Sequence, residues 1–232
     1  MSNTLGNVHC STHFKKVFSL LKILFKGCIK LTQSLRELKV AKTKKLIRDT
    51  LVDLIEEKGF DAITISDITV NAGLNRGTFY LHYRDKYDLM EKSQNEILIG
   101  LQEKFISVKP YEFDEYYSKD MIYPPILQVF HYLMENSRFI KILLSSKGDP
   151  GFPKKMKEFI RIALYEKLVK VIEAHSINAI PKEYTTAFIS SAFFGVIEEW
   201  LEKDVPHSPE EMAMVHMKVM KFLKQFVTQI VK

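Results

Sequence analysis

The chain has 232 residues, with Lys+Arg 34 against Asp+Glu 28 for a formal net charge of +6, and 46% of it is hydrophobic. That apolar fraction, with 12% aromatics, excludes a disordered or collagen-like chain and supplies enough side chain for one or two cores. No window approaches about eighteen uncharged apolar residues, so no helical membrane span is expected; two cysteines, Cys10 and Cys28, cannot staple the body, so a reducing, cytoplasmic setting is expected.

The positive charge is local. Residues 1–48 carry 11 Lys/Arg and one acid, Glu37, a net of +10; residues 49–232 carry 23 against 27, a net of −4. Within the basic stretch, residues 14–31 put Lys15, Lys22, Lys26 and Lys30 on one helical face and Phe18, Leu21, Leu24, Phe25 and Cys28 around the rest. Lysines run through its apolar part and no small-residue cleavage site follows, so it is not a secretory signal. Residues 1–38 are read as a basic, loosely ordered extension; a natural start near Leu35 to Val40 is the competing expectation, which native peptides from residues 2–30 would exclude. His9, Cys10, His13 and Cys28 supply zinc-type ligands, but their spacing fits no finger, and no metal is expected.

From Lys42 the pattern is helical. Ile47, Leu51, Leu54 and Ile55 form the apolar stripe of a first helix closed by Gly59. Three short elements follow in about thirty residues, then a long helix with Met90, Ile97, Leu98, Leu101 and Phe105. Lys109 to Tyr123 reads as a linker. Pro124 and Pro125 start a helix running to Met134, and Phe139 to Leu144 is a shorter one. Lys147 to Pro153 is a loop by its Gly and Pro content. Helices are expected over 154–175, 182–203 and from 208 to the C-terminus, and strand alternation is absent.

The stretch Thr64 to Lys86, TISDITVNAGLNRGTFYLHYRDK, carries the chemistry. Thr64 or Ser66 caps a short helix, Ala72 and Gly73 end it, and Gly supplies the left-handed backbone of a tight turn. Leu74 is expected buried in that turn. Asn75 caps the next helix, in which Phe79 and Tyr83 share the inward face while Gly77, Thr78, Tyr80 and Leu81 point outward, flanked by Arg76 and His82. Asp85 then caps a helix that begins at Lys86. This is a helix-turn-helix whose outward arc suits a DNA major groove. Arg76 matches guanine acceptors, Thr78 a base or phosphate, Leu81 a thymine methyl, and Gly77 lets the backbone come close. Thr64, Ser66, Tyr80, His82 and Lys86 are placed to hold phosphates.

These residues resemble the DNA-binding signature of the TetR family of bacterial transcriptional regulators, over residues 42 to about 90. The match runs in order through Gly59-Phe60, Thr64, Asp67-Ile68, Ala72-Gly73-Leu74, Arg76-Gly77-Thr78-Phe79-Tyr80, His82-Tyr83, Lys86 and Leu89. Thr69 departs from it, standing where the family often has Ala at the helix crossing. The resemblance implies DNA contacts at Thr64, Ser66, Asn75, Arg76, Gly77, Thr78, Tyr80, Leu81, His82 and Lys86. It also implies a homodimer on a palindromic double-stranded operator, with a C-terminal domain whose small-molecule effector releases the DNA. The expected architecture is therefore all-α, with an extension at 1–38, a three-helix helix-turn-helix domain at 39–90 and a helical regulatory and dimerisation domain at 91–232.

Helix 182–203 and the last helix are apolar on more than one side, so each must bury two faces. One is read as core, the other as a dimer interface of four-helix-bundle type through Phe188, Ala192, Val196, Trp200, Val215 and Leu223. A larger monomeric core is the competing reading. Phe130, Tyr132, Phe139, Phe159, Tyr165 and Phe194 suit either an apolar ligand pocket or plain core. No phosphate loop, Gly-x-Ser-x-Gly elbow or His-Glu-x-x-His appears, so neither catalysis nor a cofactor is expected. The function expected is a DNA-binding repressor released by a small apolar ligand; the alternative is a helix-turn-helix protein whose C-terminal domain docks another protein.

Overall fold

The computed structural model describes the backbone of residues 10–174, 181–203 and 207–230, and the side chains of 34–165, 167, 169, 181–203 and 207–222. The elements are α1 (Cys10–Lys58), α2 (Ile65–Asn71), α3 (Arg76–Tyr80), α4 (Lys86–Ile106), a 3-10 turn (Pro110–Glu112), α5 (Phe113–Ser118), α6 (Pro124–Glu135), α7 (Ser137–Leu144), α8 (Phe152–Ala174), α9 (Lys182–Glu202) and α10 (Pro209–Ile230). No strand occurs among the described residues, and the fold is all-α as expected. No helix among them is long and apolar enough to cross a membrane.

The chain divides into two compact units, 1–47 and 48–232. In the first, α1 begins at Cys10, far ahead of the expected start at Lys42. The physical reason is the absence of any breaker: between Cys10 and Lys58 there is no proline, and Gly27 is the sole glycine. Arg36, Lys39, Lys42 and Lys45 are exposed here, as are Leu35 and Leu38. The side chains of Cys10, His13 and Cys28, and His9 altogether, lie outside the described residues. Among the described ones, no three His, Cys, Asp or Glu gather into a metal site.

In the second unit, Leu51, Leu54 and Ile55 of α1 are buried with Ile63, Ile68, Phe79 and Leu89. Helix α4 leads on from this head, and α6 crosses it at Gly100. A Cβ there would lie 2.2 Å from the Tyr132 hydroxyl, which donates to the Ile97 carbonyl at 3.1 Å. Helix α6 also packs on α10, and α8 on α9. At the far end of α4, the Lys167 ammonium donates to the carbonyls of Phe105, Ile106 and Val108, satisfying groups the helix end leaves open.

The segment read as a linker is folded. Phe113 and Tyr123 are buried with rings 5.1 Å apart. The Tyr123 hydroxyl donates to Glu112 Oε2 at 2.8 Å and accepts from the Lys109 amide at 3.1 Å. Aromatic content, which the sequence shows, supplies a small core that overrides the Pro110 signal.

An aromatic cluster joins the helices of the body. Phe193 lies 5.7 Å from Phe105 and 6.2 Å from Phe130, and Phe130 lies 5.6 Å from Trp200. His216 sits among Phe113, Phe130 and Phe193, and burial pushes its pKa down to about 4. Phe130, Phe139 and Phe194 are thus core residues, whereas Tyr132, Phe159 and Tyr165 are half-buried.

Candidate nucleic-acid interface

The head is organised by the ends of its helices. Thr64 caps α2: its Oγ1 accepts from the Asp67 amide at 3.2 Å, while Asp67 Oδ2 accepts from the Thr64 amide at 2.8 Å. This is the reciprocal capping box that a Thr-x-x-Asp spacing permits. Lys58 at the end of α1 stands 2.9 Å from the same carboxylate. Hydrogen bonds from Lys58 and Thr64 hold the Asp67 pKa down at about 2.

Helix α2 ends in a Schellman turn. The Leu74 amide donates to the Thr69 carbonyl at 2.9 Å and the Gly73 amide to that of Val70 at 3.1 Å, with Gly73 at φ 63°. That left-handed backbone is the reason for a glycine here. Leu74 is half-buried, less enclosed than expected. Thr69 is buried, and its hydroxyl is satisfied by the carbonyls of Ile65 and Ser66 at 3.0 and 3.2 Å, so the helix crossing accommodates it.

Asn75 then caps α3, its Oδ1 accepting from the Thr78 amide at 2.8 Å and the Thr78 hydroxyl at 3.1 Å. Gly77 has an internal reason as well: a Cβ there would come within 3.2 Å of Asn75 Oδ1. Phe79 is fully buried and its ring lies 5.7 Å from that of Tyr83, which is buried too. With this face anchored, the opposite one is thrown outward. Leu81 is 81% exposed and Tyr80 55%, and Arg76 and Gly77 are exposed, while Thr78 and His82 are half-buried. Thr64 is exposed and Ser66 half-buried at the start of α2.

Lys86 is tied down more than the sequence suggests. Its ammonium donates to the carbonyls of Phe60 and Asp61 at 3.1 and 2.8 Å and lies 5.0 Å from the centre of the Phe60 ring. It clamps the α1–α2 loop to the start of α4. Arg84, which the sequence reading passed over, has a side chain 82% exposed, 3.3 Å from Asp88 Oδ1. An unbroken charge count hides it, because Asp85 and Asp88 follow at once.

Electrostatically the head is not a basic patch. Residues 49–90 hold four cations and eight acids. Of the cations, Lys58, Arg84 and Lys86 have partners within the chain, and among the described residues Arg76 alone has none. The surface therefore offers shape and a few placed groups rather than bulk charge, with a single unpaired guanidinium at the start of α3.

On the body, Phe188 is 62% exposed on α9, with Ala192 and Val196 half-exposed on the same side, and Val215, Val219 and Phe222 are exposed on α10 at helical spacing. Trp200 is a correction to the expected interface. It is 3% exposed, stacked edge-on against Phe130, and its indole N–H donates to the His207 carbonyl at 3.0 Å. Burying both the ring and its one donor inside the chain is the lower-energy use of a tryptophan. The Leu223 side chain lies outside the described residues.

Residues 47–92 match the model of the bacterial regulatory proteins of the tetR family, and residues 120–222 match a transcriptional regulator C-terminal region. The chain is 28% identical over 170 residues to the HTH-type transcriptional regulator YwcC of Bacillus subtilis, spanning 65% of this chain and 73% of that one. It is 25% identical over 173 residues to the biofilm operon icaADBC HTH-type negative transcriptional regulator IcaR of Staphylococcus epidermidis, across 67% of this chain and 89% of that one. The fold is also that of a TetR transcriptional regulator from Streptococcus agalactiae, with a TM-score of 0.51 and 21% identity over 81% of this chain and 98% of that one. With both halves of the chain matched and the capped α2–α3 unit in place, the chain belongs to the TetR family of transcriptional regulators.

Proposed function

We propose that this regulator is a homodimeric repressor that acts in the cytoplasm on a palindromic operator and is released by a small molecule. The observation that carries the reading is the outward arc of α3. Arg76, Gly77, Tyr80 and Leu81 stand exposed over a buried Phe79 anchor, in the order a recognition helix needs to meet base edges and phosphates. Arg76 reads a guanine, Leu81 packs on a thymine methyl, and Thr64, Ser66, Thr78, Tyr80 and His82 hold the backbone. Asn75 presents α3 by capping it, and Lys86 acts mainly through its clamp on the α1–α2 loop.

The exposed apolar faces of α9 and α10 support two-fold symmetry. Phe188, Ala192, Val196, Val215 and Val219 offer an apolar surface of the kind that closes a four-helix bundle between two copies. Repression is supported by the negative regulator among the relatives.

Selection of bound fragments from random duplex DNA by the purified protein tests this directly. Enrichment of an inverted repeat, together with a dimer mass in sedimentation that Phe188→Asp reduces to a monomer, is expected. A folded protein that enriches no inverted repeat overturns the operator reading, and a wild type that sediments as a monomer overturns the dimer.

A further inference from the structure

A cleft of about 390 Å³ opens where the end of α1 meets α7 and the turn after it. Ile55 and Ile142 lie buried beneath it, and around it stand three cations, Arg138, Lys141 and Lys147, against one carboxylate, Glu56. Neither the helix-turn-helix surface nor the faces of α9 and α10 include it.

The polar groups of this cleft join the head to the body. Arg138 of α7 stands 2.6 Å from Asp53 Oδ1 and 2.6 Å from Glu56 Oε2, and its Nε donates to Glu56 Oε1 at 3.2 Å. Lys147 donates to the Glu56 backbone carbonyl at 2.7 Å. The two carboxylates keep the guanidinium firmly charged, raising its pKa above the ordinary value. Arg138, Asp53 and Glu56 are each about half exposed, so the ion pairs are screened and readily exchanged.

We propose that this cleft is an effector site for a small organic anion, a carboxylate or phosphate monoester on a short apolar body. The anionic group takes Arg138 and Lys147 from Glu56 and Asp53, and the short apolar body lies along the methylene stems of Arg138, Lys141 and Lys147. A planar guanidinium prefers a bidentate anion, and Lys147 adds a point charge beside it. Binding breaks the contacts that α1 makes with α7. The ligand therefore favours a state in which the first helix of the head is no longer held to the body, and it shifts the equilibrium by that difference in affinity alone. The inference rests on the reading of this protein as a DNA-binding regulator and names the chemistry and place of its effector.

The test uses full-length protein and two readouts. Calorimetric titration without DNA, with hexanoate, hexyl phosphate and inorganic phosphate as probes, reads the site itself. Saturable binding of hexanoate or hexyl phosphate is expected, with a dissociation constant on the order of 1 mM or tighter. Arg138→Ala and Lys147→Gln should each weaken it roughly tenfold, as expected where a charge-assisted hydrogen bond is lost. Operator affinity, measured separately, should fall roughly five- to tenfold at saturating ligand, the low end of allosteric coupling. Lys147→Gln leaves the Arg138 pairs in place, so it decides the matter if Arg138→Ala does not fold. Undiminished binding in the variants overturns the site, as does the absence of saturable binding. Inorganic phosphate binding as tightly as hexyl phosphate overturns the apolar part of the assignment. Ligand binding at the cleft with unchanged operator affinity overturns the effector role and leaves the regulator reading intact; failure to bind DNA without any ligand overturns the latter.

Discussion

The head and the body of this chain are both helical, yet different forces hold their helices. In the head, α2, α3 and α4 each start at a side-chain cap: Thr64, Asn75 and Asp85 accept the amides of Asp67, Thr78 and Asp88. Gly59 and Gly73 supply the left-handed backbone where the chain must turn. In the body, α6, α7 and α9 have no side-chain cap at all, and they are placed by burial of residues such as Phe130, Ile140 and Phe193. The difference follows from length and partners. Helices α2 and α3, of seven and five residues, are unstable alone and depend on their ends, whereas the long α4 and α10 carry caps at Asp85 and Ser208 in addition to a buried apolar face. The head therefore keeps its outer surface for recognition, and the body hides most of its informative residues inside.

The largest effect expected comes from removing the buried anchor of α3. Phe79→Ala should cost about 3–5 kcal/mol of unfolding free energy in urea denaturation and abolish DNA binding with it. A loss near 1 kcal/mol would mean that the caps alone hold α3, and the contrast drawn above would have to be weakened. In the body the matching probe is His216. Its pKa near 4 lies below the ordinary 6.5 because the ring is buried among Phe113, Phe130 and Phe193. Above pH 6.5 the neutral ring costs nothing. As pH falls from there to 4 the unfolded chain takes up the proton and the folded one resists, so about 3 kcal/mol of stability is lost, with no further loss from this group below 4. Denaturation midpoints measured from pH 7 to 4 in wild type and His216→Leu should show a slope in the first that is shallower in the second.

How much of this was legible follows the same division. Local chemistry can be read along a chain, so the caps at Thr64 and Asn75, the turn at Gly73 and the outward arc from Arg76 to Leu81 all lie where the sequence suggests. Tertiary burial cannot be read that way. Trp200 shares a helix and a pattern with Phe188, and only packing against Phe130 decides that one is core and the other exposed. Lys86 looks like a free cation until the carbonyls of Phe60 and Asp61, more than twenty residues earlier, come within reach. The stretch from Lys109 to Tyr123 looks like a linker by its Pro110 and acids, yet Phe113, Tyr116, Tyr117 and Tyr123 pack on one another and Phe113 meets His216, a clustering that spacing alone does not reveal. The early start of α1 was masked by composition, since its lysines suggested a solvated arm while nothing in it breaks a helix.

A middle-sized effect distinguishes base reading from backbone holding within the arc. Arg76→Ala should cost about 1–3 kcal/mol of binding at one base pair of each half-site and relax preference there. Tyr80→Ala should weaken binding to every operator variant alike. Affinities measured on a panel of single base-pair changes separate the two. Equal losses on all variants for both substitutions would show that Arg76 grips a phosphate, and base reading would then rest on Leu81 and Thr78.

The smallest effect is the sharpest on the role of the caps. Asn75→Ala removes the acceptor for the Thr78 amide and should destabilise the chain by about 1 kcal/mol. Asn75→Asp keeps an acceptor in the same place, so stability should stay within about 0.5 kcal/mol of wild type, Asp being as good a cap as Asn. It also sets a negative charge at the start of α3, beside the exposed Arg76. If that edge faces DNA, operator affinity must fall although the fold is intact, and the fall must grow as salt is lowered, because repulsion from phosphates is screened by ions. Urea denaturation and operator titration of the two variants, each at two salt concentrations, give eight numbers for one position. A destabilisation by Asp as large as that by Ala would show that Asn75 holds the turn through its amide N–H rather than its oxygen. Unchanged affinity in Asn75→Asp would turn this edge of α3 away from the DNA, and with it the reading of Arg76.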